Sequence, residues 1–252
     1  KEMYPGERIF YFKTLNDNLN PRTLDETYEH HFGQLNKSKT MKQDVTRNLL
    51  SCLDIRYFGA TYAGKTNVSI HGPVQINHGV NVWHENNIYS EQITSPFRNP
   101  SEGDKEKAQT TIGRDTKLQE GHYLHHFSVN PGNLLQPVED TEKLSDEDIH
   151  KLKEAMRRGA TYYDSTSKAG TENEFLLWVQ LKDSSKAVLP NFTSLIQIQE
   201  EKQDDGKITM DLDALQDKLS RHQDEIECAE IYYNAAAITL THVPEYIKKY
   251  DI

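Results

Sequence analysis

Apolar residues recur along this chain in short groups, and their period changes several times. Arg8 to Lys13 reads as a short strand, and Asn16 to Arg22 is rich in turn residues. Leu24 to Phe32 has helical spacing. So does Thr40 to Leu53, where Met41, Val45, Leu49 and Cys52 fall near one face. Strands are predicted at about Leu53–Phe58, Val68–Ile70 and Val74–Val82. From Trp83 to Gly113 the periodicity disappears and Asn, Ser, Pro and charges take over. A long insertion or mobile loop is expected there, with Pro96 to Gln109 its most mobile part. Order returns at His122 to Val129, followed by a turn at Asn130-Pro131-Gly132-Asn133. Ser145-Asp146-Glu147-Asp148 reads as a capping box. The helix after it shares Ile149, Leu152 and Met156 on one face and stops at Arg157-Arg158-Gly159. Further strands are predicted at Phe175–Lys182 and Leu195–Gln199, then a helix marked by Leu212, Leu215 and Leu219 and capped by Asp211. One or two strands fall within Ile226–Leu240. No internal repeat is present. Strands alternating with two or three helices predict an α+β sandwich.

Composition narrows the class. The chain has 252 residues, 35% of them hydrophobic, and a mean hydropathy of −0.79, so a modest core carries much loop and surface. That length suits one large domain or a domain with sizeable insertions. No apolar run approaches membrane-spanning length, and no signal peptide is visible. The two cysteines, Cys52 and Cys228, fit reduced thiols in a cytoplasm better than a disulfide framework.

Charge changes the picture by its distribution. The net charge is −10, which by itself argues against a polyanionic partner. Yet Lys37 to Lys65 carries six cations and two anions, whereas Glu139 to Asp148 carries six anions and one cation, and Glu200 to Glu227 ten anions and four cations. An acidic flank beside a basic segment is compatible with binding a polyanion on one side.

The candidate chemistry centres on Gly59 to Thr66, which matches the phosphate-loop pattern G-x-x-x-x-G-K-T. That loop requires a helix to begin at Lys65-Thr66, so that its N–H groups aim at phosphates. Here Val68, Ile70, Val74 and Ile76 alternate with polar residues, and Gly72-Pro73 would break a helix. Two strands joined by a glycine-containing loop are expected, with a nucleotide hydrolase using Lys65 and Thr66 as the alternative. Ser165 to Lys168 fits the S-x-x-K nucleophile pattern, but the companion Ser-Asp-Asn and Lys-Thr-Gly are absent. His122, His125 and His126 invite a metal reading; no cysteine pair or nearby acid completes a site, so no metal and no cofactor is expected.

Four ordered blocks carry a resemblance: LDIRYFGATYAGKTNVSIHGPVQ at 53–75, GHYLHHFSVNPGN at 121–133, KLSDEDIHKLKEAM at 143–156 and STSKAGTENEFLLWVQ at 165–180. Together they resemble the backbone subunit of the type I-B CRISPR Cascade surveillance complex, the Cas-seven family of the RAMP superfamily. The resemblance covers about residues 45 to 185. It implies a modified RRM-like (ferredoxin-like) domain spanning 1–252, with a thumb hairpin inserted at about 83–113 and an acidic C-terminal part at about 186–252. The family's opening strand is not recognisable, Asn18 to Arg22 being only a poor echo of the loop that follows it, so an N-terminal strand is expected to be missing. The last third, from about Lys186, carries no recognised motif.

The resemblance also implies a function. The subunit is a scaffold rather than a nuclease, lines up head to tail with further copies on one CRISPR guide RNA, joins other Cascade subunits, and supports pairing with a target DNA strand. Related type III subunits cleave RNA with a loop aspartate, which cannot be placed here; an RNA-cleaving nuclease is the weaker alternative. A guide of any sequence is held by phosphate and ribose. The residues expected to do so are Arg56 above all, then Lys39, Lys42, Arg47, Lys65, Arg114, Lys117 and His122, with Ser165, Thr166, Ser167 and Lys168 as a hydroxyl-rich loop. Ile93 and Phe97 are candidates to wedge between bases.

Overall fold

The computed structural model describes residues 1–35, 41–95, 111–134, 141, 143–163, 165 and 168–252. Helix α1 (Leu24–Phe32) starts at a reciprocal cap, Thr23 accepting from the Glu26 N–H while the Glu26 carboxylate accepts from the Thr23 N–H. Helix α2 (Met41–Leu50) buries Val45, Leu49 and Leu50. With Phe10, Tyr28, Tyr62, Val68 and Ile70 these side chains form one core.

Leu53–Phe58, expected as a strand, is a short helix, α3. Its alternating Leu53, Ile55 and Tyr57 mimic strand period, but the intervening Arg56 is buried as well. Arg8 to Lys13, also expected as a strand, forms none. Its donors at Phe10 and Tyr11 bond to the Asp54 carboxylate of α3 at 2.9 and 2.8 Å, in place of a neighbouring strand. Gly59 ends α3 at φ +75°, where a Cβ would lie 2.1 Å from the Ile70 carbonyl oxygen. Strands β1 (Gly59–Ala63) and β2 (Asn67–His71) then pair antiparallel, Gly59 opposite His71 and Ala63 opposite Asn67.

The next six strands nest. They are β3 (Val74–Ile76), β4 (Val80–Asn81), β5 (Ile88–Ser95), β6 (Thr111–Leu118), β7 (Tyr123–Leu124) and β8 (Phe127–Val129). β3 pairs with β8, β4 with β7 and β5 with β6, all antiparallel. The predicted strand Val74–Val82 is therefore two pieces. Between them, the Asn77 N–H donates to the His126 carbonyl, and the Asn77 carbonyl accepts from His125 Nδ1. The region read as irregular, Trp83 to Gly113, contains β5 and the start of β6. Seven of the eight residues of β5 are exposed and none is buried, so no apolar alternation marks it. Pro96 to Gln109 lies outside the described residues.

Helix α4 (Asp146–Arg158) opens on the expected Ser145–Asp148 capping box and closes at Gly159. Strand β9 (Phe175–Leu181) leads to β10 (Gln197–Ile198), β11 (Ile208–Asp211), helix α5 (Asp213–Ser220), β12 (Ile226–Tyr233), β13 (Ile238–Thr241) and β14 (Lys248–Asp251). One sheet has the order β14-β12-β9, the other β10-β11-β13. A core built on Leu177, Met210, Leu212, Leu215, Leu219 and Ile231 joins both sheets and α5. The N-cap of α5 is Leu212, one residue past the expected Asp211; the Asp211 carboxylate still accepts from the Asp213 N–H at 3.0 Å. The architecture is mixed α+β, and the sheets among the described residues hold two or three strands each.

One buried ion pair ties α3 to α4. Arg56 Nε and Nη2 donate to the two Asp148 oxygens at 3.0 and 2.9 Å, and both residues are buried. Tyr57 donates its hydroxyl to the Asp148 carbonyl. Burial alone would raise the Asp148 carboxyl, but the bonds from Arg56 and from the Ser145 N–H outweigh it and hold it below the ordinary aspartate value of 3.8. The pair's contribution is complete above that value and is lost as pH falls through the lower folded-state one. Asp148→Ala strands the guanidinium in the core and is expected to destabilise the fold by about 3–5 kcal/mol. Pairing it with Arg56→Met should recover most of the loss. Urea unfolding of the three proteins checks this; a single variant as stable as the parent would refute it.

Candidate nucleic-acid interface

The phosphate-loop match resolves into glycine geometry. Gly59 caps α3, and Gly64, Lys65 and Thr66 form the turn between β1 and β2. The chain past Thr66 is strand β2, so the loop lacks the helix N-terminus that would cradle a nucleotide. The turn is held from α1: the Asp25 carboxylate accepts from the Lys65 N–H at 3.0 Å and from the Tyr62 hydroxyl. Lys65 Nζ reaches Glu29 on α1 and is exposed; that hydrogen bond raises its pKa.

Arg56, expected to grip phosphate above all others, is withdrawn from the surface. The predicted strand is a helix, and on it Arg56 is buried with its fork committed to Asp148. Lys42 and Arg47 are exposed on α2, and Arg47 pairs with Asp44 at 3.2 Å. Lys39 lies outside the described residues, as do Phe97, Thr166 and Ser167. Ser165 and Lys168 are exposed in the connection from α4 to β9, where the Lys168 N–H donates to the Ser165 carbonyl at 2.9 Å. The predicted cations thus fall on three separate parts: α2 with the β1–β2 turn, the β5–β6 hairpin, and the α4–β9 connection.

The hairpin sorts its chemistry by face. Its register sets Tyr89 opposite Lys117, Ser90 opposite Thr116, Glu91 opposite Asp115, Gln92 opposite Arg114 and Ile93 opposite Gly113. Side chains alternate between the two faces of a strand. Ser90, Gln92, Thr94, Ile112, Arg114 and Thr116 therefore share one face, and no carboxylate joins them. The other face carries Tyr89, Glu91, Ile93, Asp115 and Lys117. Lys117 meets Glu91 at 2.9 Å and Asp115 at 3.7 Å, whereas Arg114 is exposed with no ion pair among the described residues. Arg114 and Lys117, both candidate RNA contacts, point to opposite sides. Ile93 is 53% exposed on the side of Lys117.

His122 too is already partnered. Its Nδ1 lies 2.7 Å from Glu174 and its Nε2 3.1 Å from Glu120, so a phosphate there would meet two carboxylates. The acids thought absent near this histidine are present. Glu120 is two residues away, but Glu174 comes from the lead-in to β9 and leaves no local signal. Among the described residues no group of three or more His, Cys, Asp or Glu is arranged to hold a metal ion. No helix among them is long and apolar enough to cross a membrane.

A mixed α+β body with one long, nested antiparallel arm is thus the class of fold. The chain belongs to the Cas7 family of CRISPR-associated proteins, whose model, CRISPR-associated protein Cas7, matches residues 2–217. Among solved structures it is similar to a chain of a "CRISPR RNA-guided surveillance complex, pre-nicking", with 16% identity and a TM-score of 0.44 over 83% of this chain and 55% of that one. It spans only about half the length of that relative. No curated protein matches it.

Lys65→Ala should leave the thermal unfolding midpoint essentially unchanged, since exposed pairs contribute little. Magnesium–ATP should not raise the midpoint of either protein. A nucleotide-dependent rise that vanishes in the variant would restore the phosphate-loop reading.

Proposed function

We propose that this chain is a non-catalytic scaffold that binds a CRISPR guide RNA in the backbone of a type I-B surveillance complex. In this reading, copies stand head to tail along the guide beside other Cascade subunits in the cytoplasm, and together they hold the guide for pairing with a target DNA strand. The observation that carries the proposal is the family match over residues 2–217. The chain is read as one RRM-like unit over 1–252, with α4 and the β14-β12-β9 sheet in its centre, a thumb inserted at about 83–113 and an acidic part at about 186–252.

The guanidinium and hydroxyl face of the hairpin suits a sugar–phosphate backbone. Arg114 supplies charge, Ser90, Thr94 and Thr116 supply hydroxyls, and among the described residues of this face no carboxylate opposes the polyanion. Ile93, on the opposite face, is a base-kinking candidate, as is Phe97 four residues on in sequence, so the guide would touch both sides of the hairpin. Lys42, Arg47, Lys65, Lys117, Ser165 and Lys168 add backbone contacts, with Lys39, Thr166 and Ser167 in the same role. Arg56 and His122 take no part.

RNA affinity should fall linearly with salt on logarithmic axes, because binding releases counterions. Arg114→Ala should flatten that slope by about 0.7, the value for one lost single-strand phosphate contact. Arg47→Ala should flatten it by no more. Affinity indifferent to salt would count against RNA binding, and magnesium-dependent RNA cutting by clean protein would overturn the non-catalytic part.

A further inference from the structure

Both roots of the β5–β6 hairpin pass through one polar cluster. Asn81 Oδ1 accepts from the Trp83 N–H at 3.1 Å and from the His122 N–H at 3.0 Å. The Val82 N–H donates to the His122 carbonyl at 2.8 Å. The two roots are thereby joined to each other, and three contacts join them to the body. Trp83 is buried in the core that contains Leu177 of β9. Glu120 meets Lys202, which follows β10, at 2.7 Å. His122 meets Glu174, the residue before β9, at 2.7 Å.

His122 sits between its two carboxylates with only 11% of its side chain exposed. Its ring lies 5.2 Å from that of Trp83. A neutral imidazole has one N–H and can satisfy one carboxylate; its other nitrogen then turns a lone pair toward an anionic oxygen. The imidazolium donates to both. With it, Glu120 and Glu174 are balanced by His122 and Lys202. Without it, a half-buried cluster holds one excess negative charge. Among the described residues, His84, its ring tilted against Trp83 at 4.7 Å, and Glu85, 3.7 Å from His84, also bring titratable groups to this root.

We propose that His122 is a proton-operated latch on the hairpin: as imidazolium it ties Glu120 and Glu174 together across the two roots, and on losing its proton it can hold only one of them, so the roots loosen while Trp83 stays in the core. The hydrogen bond to Glu174 raises its pKa above the ordinary 6.5; burial opposes this and Glu120 reinforces it. The latch is therefore closed below the ordinary value and opens as pH rises through the higher folded-state one. Its use rests on the RNA-scaffold reading, in which the hairpin's aim sets the grip on the guide; the latch itself does not.

The test is made on the full RNA-free chain. Nitrogen NMR of the His122 ring should show both nitrogens protonated to a midpoint above pH 6.5. Amide exchange at Val82, Trp83 and His122, corrected for intrinsic base catalysis, should rise about tenfold across that midpoint, as expected of a local opening. His122→Gln should abolish this response. Glu174→Gln, which keeps the shape, should lower the midpoint, and it keeps the test decisive if the first variant does not fold. A midpoint at or below 6.5, or a root response that Glu174→Gln leaves unmoved, overturns the latch. RNA affinity measured in parallel separates the two ideas. A chain that opens with pH but binds no RNA supports the latch and removes the scaffold; a chain that binds RNA over an unresponsive root does the reverse.

Discussion

Arg56 and Asp148 stand 92 positions apart in sequence and meet in the interior. The rest of the arrangement depends on that meeting. The guanidinium fork takes both carboxylate oxygens, and one of those oxygens also accepts from the Ser145 N–H that begins α4. A single carboxylate thus caps one helix and anchors another. Desolvating two charges offsets much of their attraction, so such a pair adds little net stability over well-packed apolar residues. What it enforces is position. An arginine placed anywhere else in this core would be an uncompensated charge, so α3 has one orientation against α4. The nested arm, β3 to β8, lies within the loop that this pair closes.

The nesting follows from loop entropy. Each antiparallel pair shortens the stretch left to close, and closure of a long loop is only slowly penalised by further length. β3 with β8 brings β4 near β7, which brings β5 near β6. Joining the roots through Asn81 and His122 gives the outermost hairpin a defined exit although its own strands touch little of the body. A ribbon exposed on both faces is free to present different chemistry on each. Strand alternation then does the sorting: Gln92 and Arg114 face one way, Glu91 and Asp115 the other.

Elements with one buried face were legible in the sequence. The Ser145 capping box, the apolar face of α4 and strand β2 all follow from local spacing and are found where it puts them; β9, buried on both faces at Leu176, Leu177 and Trp178, is marked instead by its continuous apolar run. Elements with neither mark were not. α3 has six residues and buries four of them, so its pattern is as good for a strand as for a helix. β5 buries none of its residues and shows no pattern at all. The candidate site was less legible than the fold. Charge type is visible in a sequence, but commitment to a distant partner is not. Arg56 and His122 look like free cations until Asp148 and Glu174 are brought to them. Arg114, with Gln92 rather than an acid across the strand pair, is exposed.

The same reasoning explains how a phosphate-loop pattern arises without a phosphate loop. Gly59 is demanded by a left-handed backbone at the end of α3 and by the close approach of Ile70. Gly72 is demanded from the other side of that crossing, where a Cβ would sit 2.2 Å from the Phe58 carbonyl carbon. Gly64 lies against the Asp25 carboxylate, where a Cβ would come within 2.0 Å of its oxygen. Lys65 sits at the hairpin tip because a tight turn projects its side chain outward, and Glu29 on the adjacent helix receives it. Gly59 answers to a backbone contact and Gly64 to the Asp25 side chain, and neither requires a ligand. A glycine-lysine signature therefore informs about nucleotide chemistry only when the residue after it starts a helix; where it starts a strand, the signature describes a crossing of two chain segments.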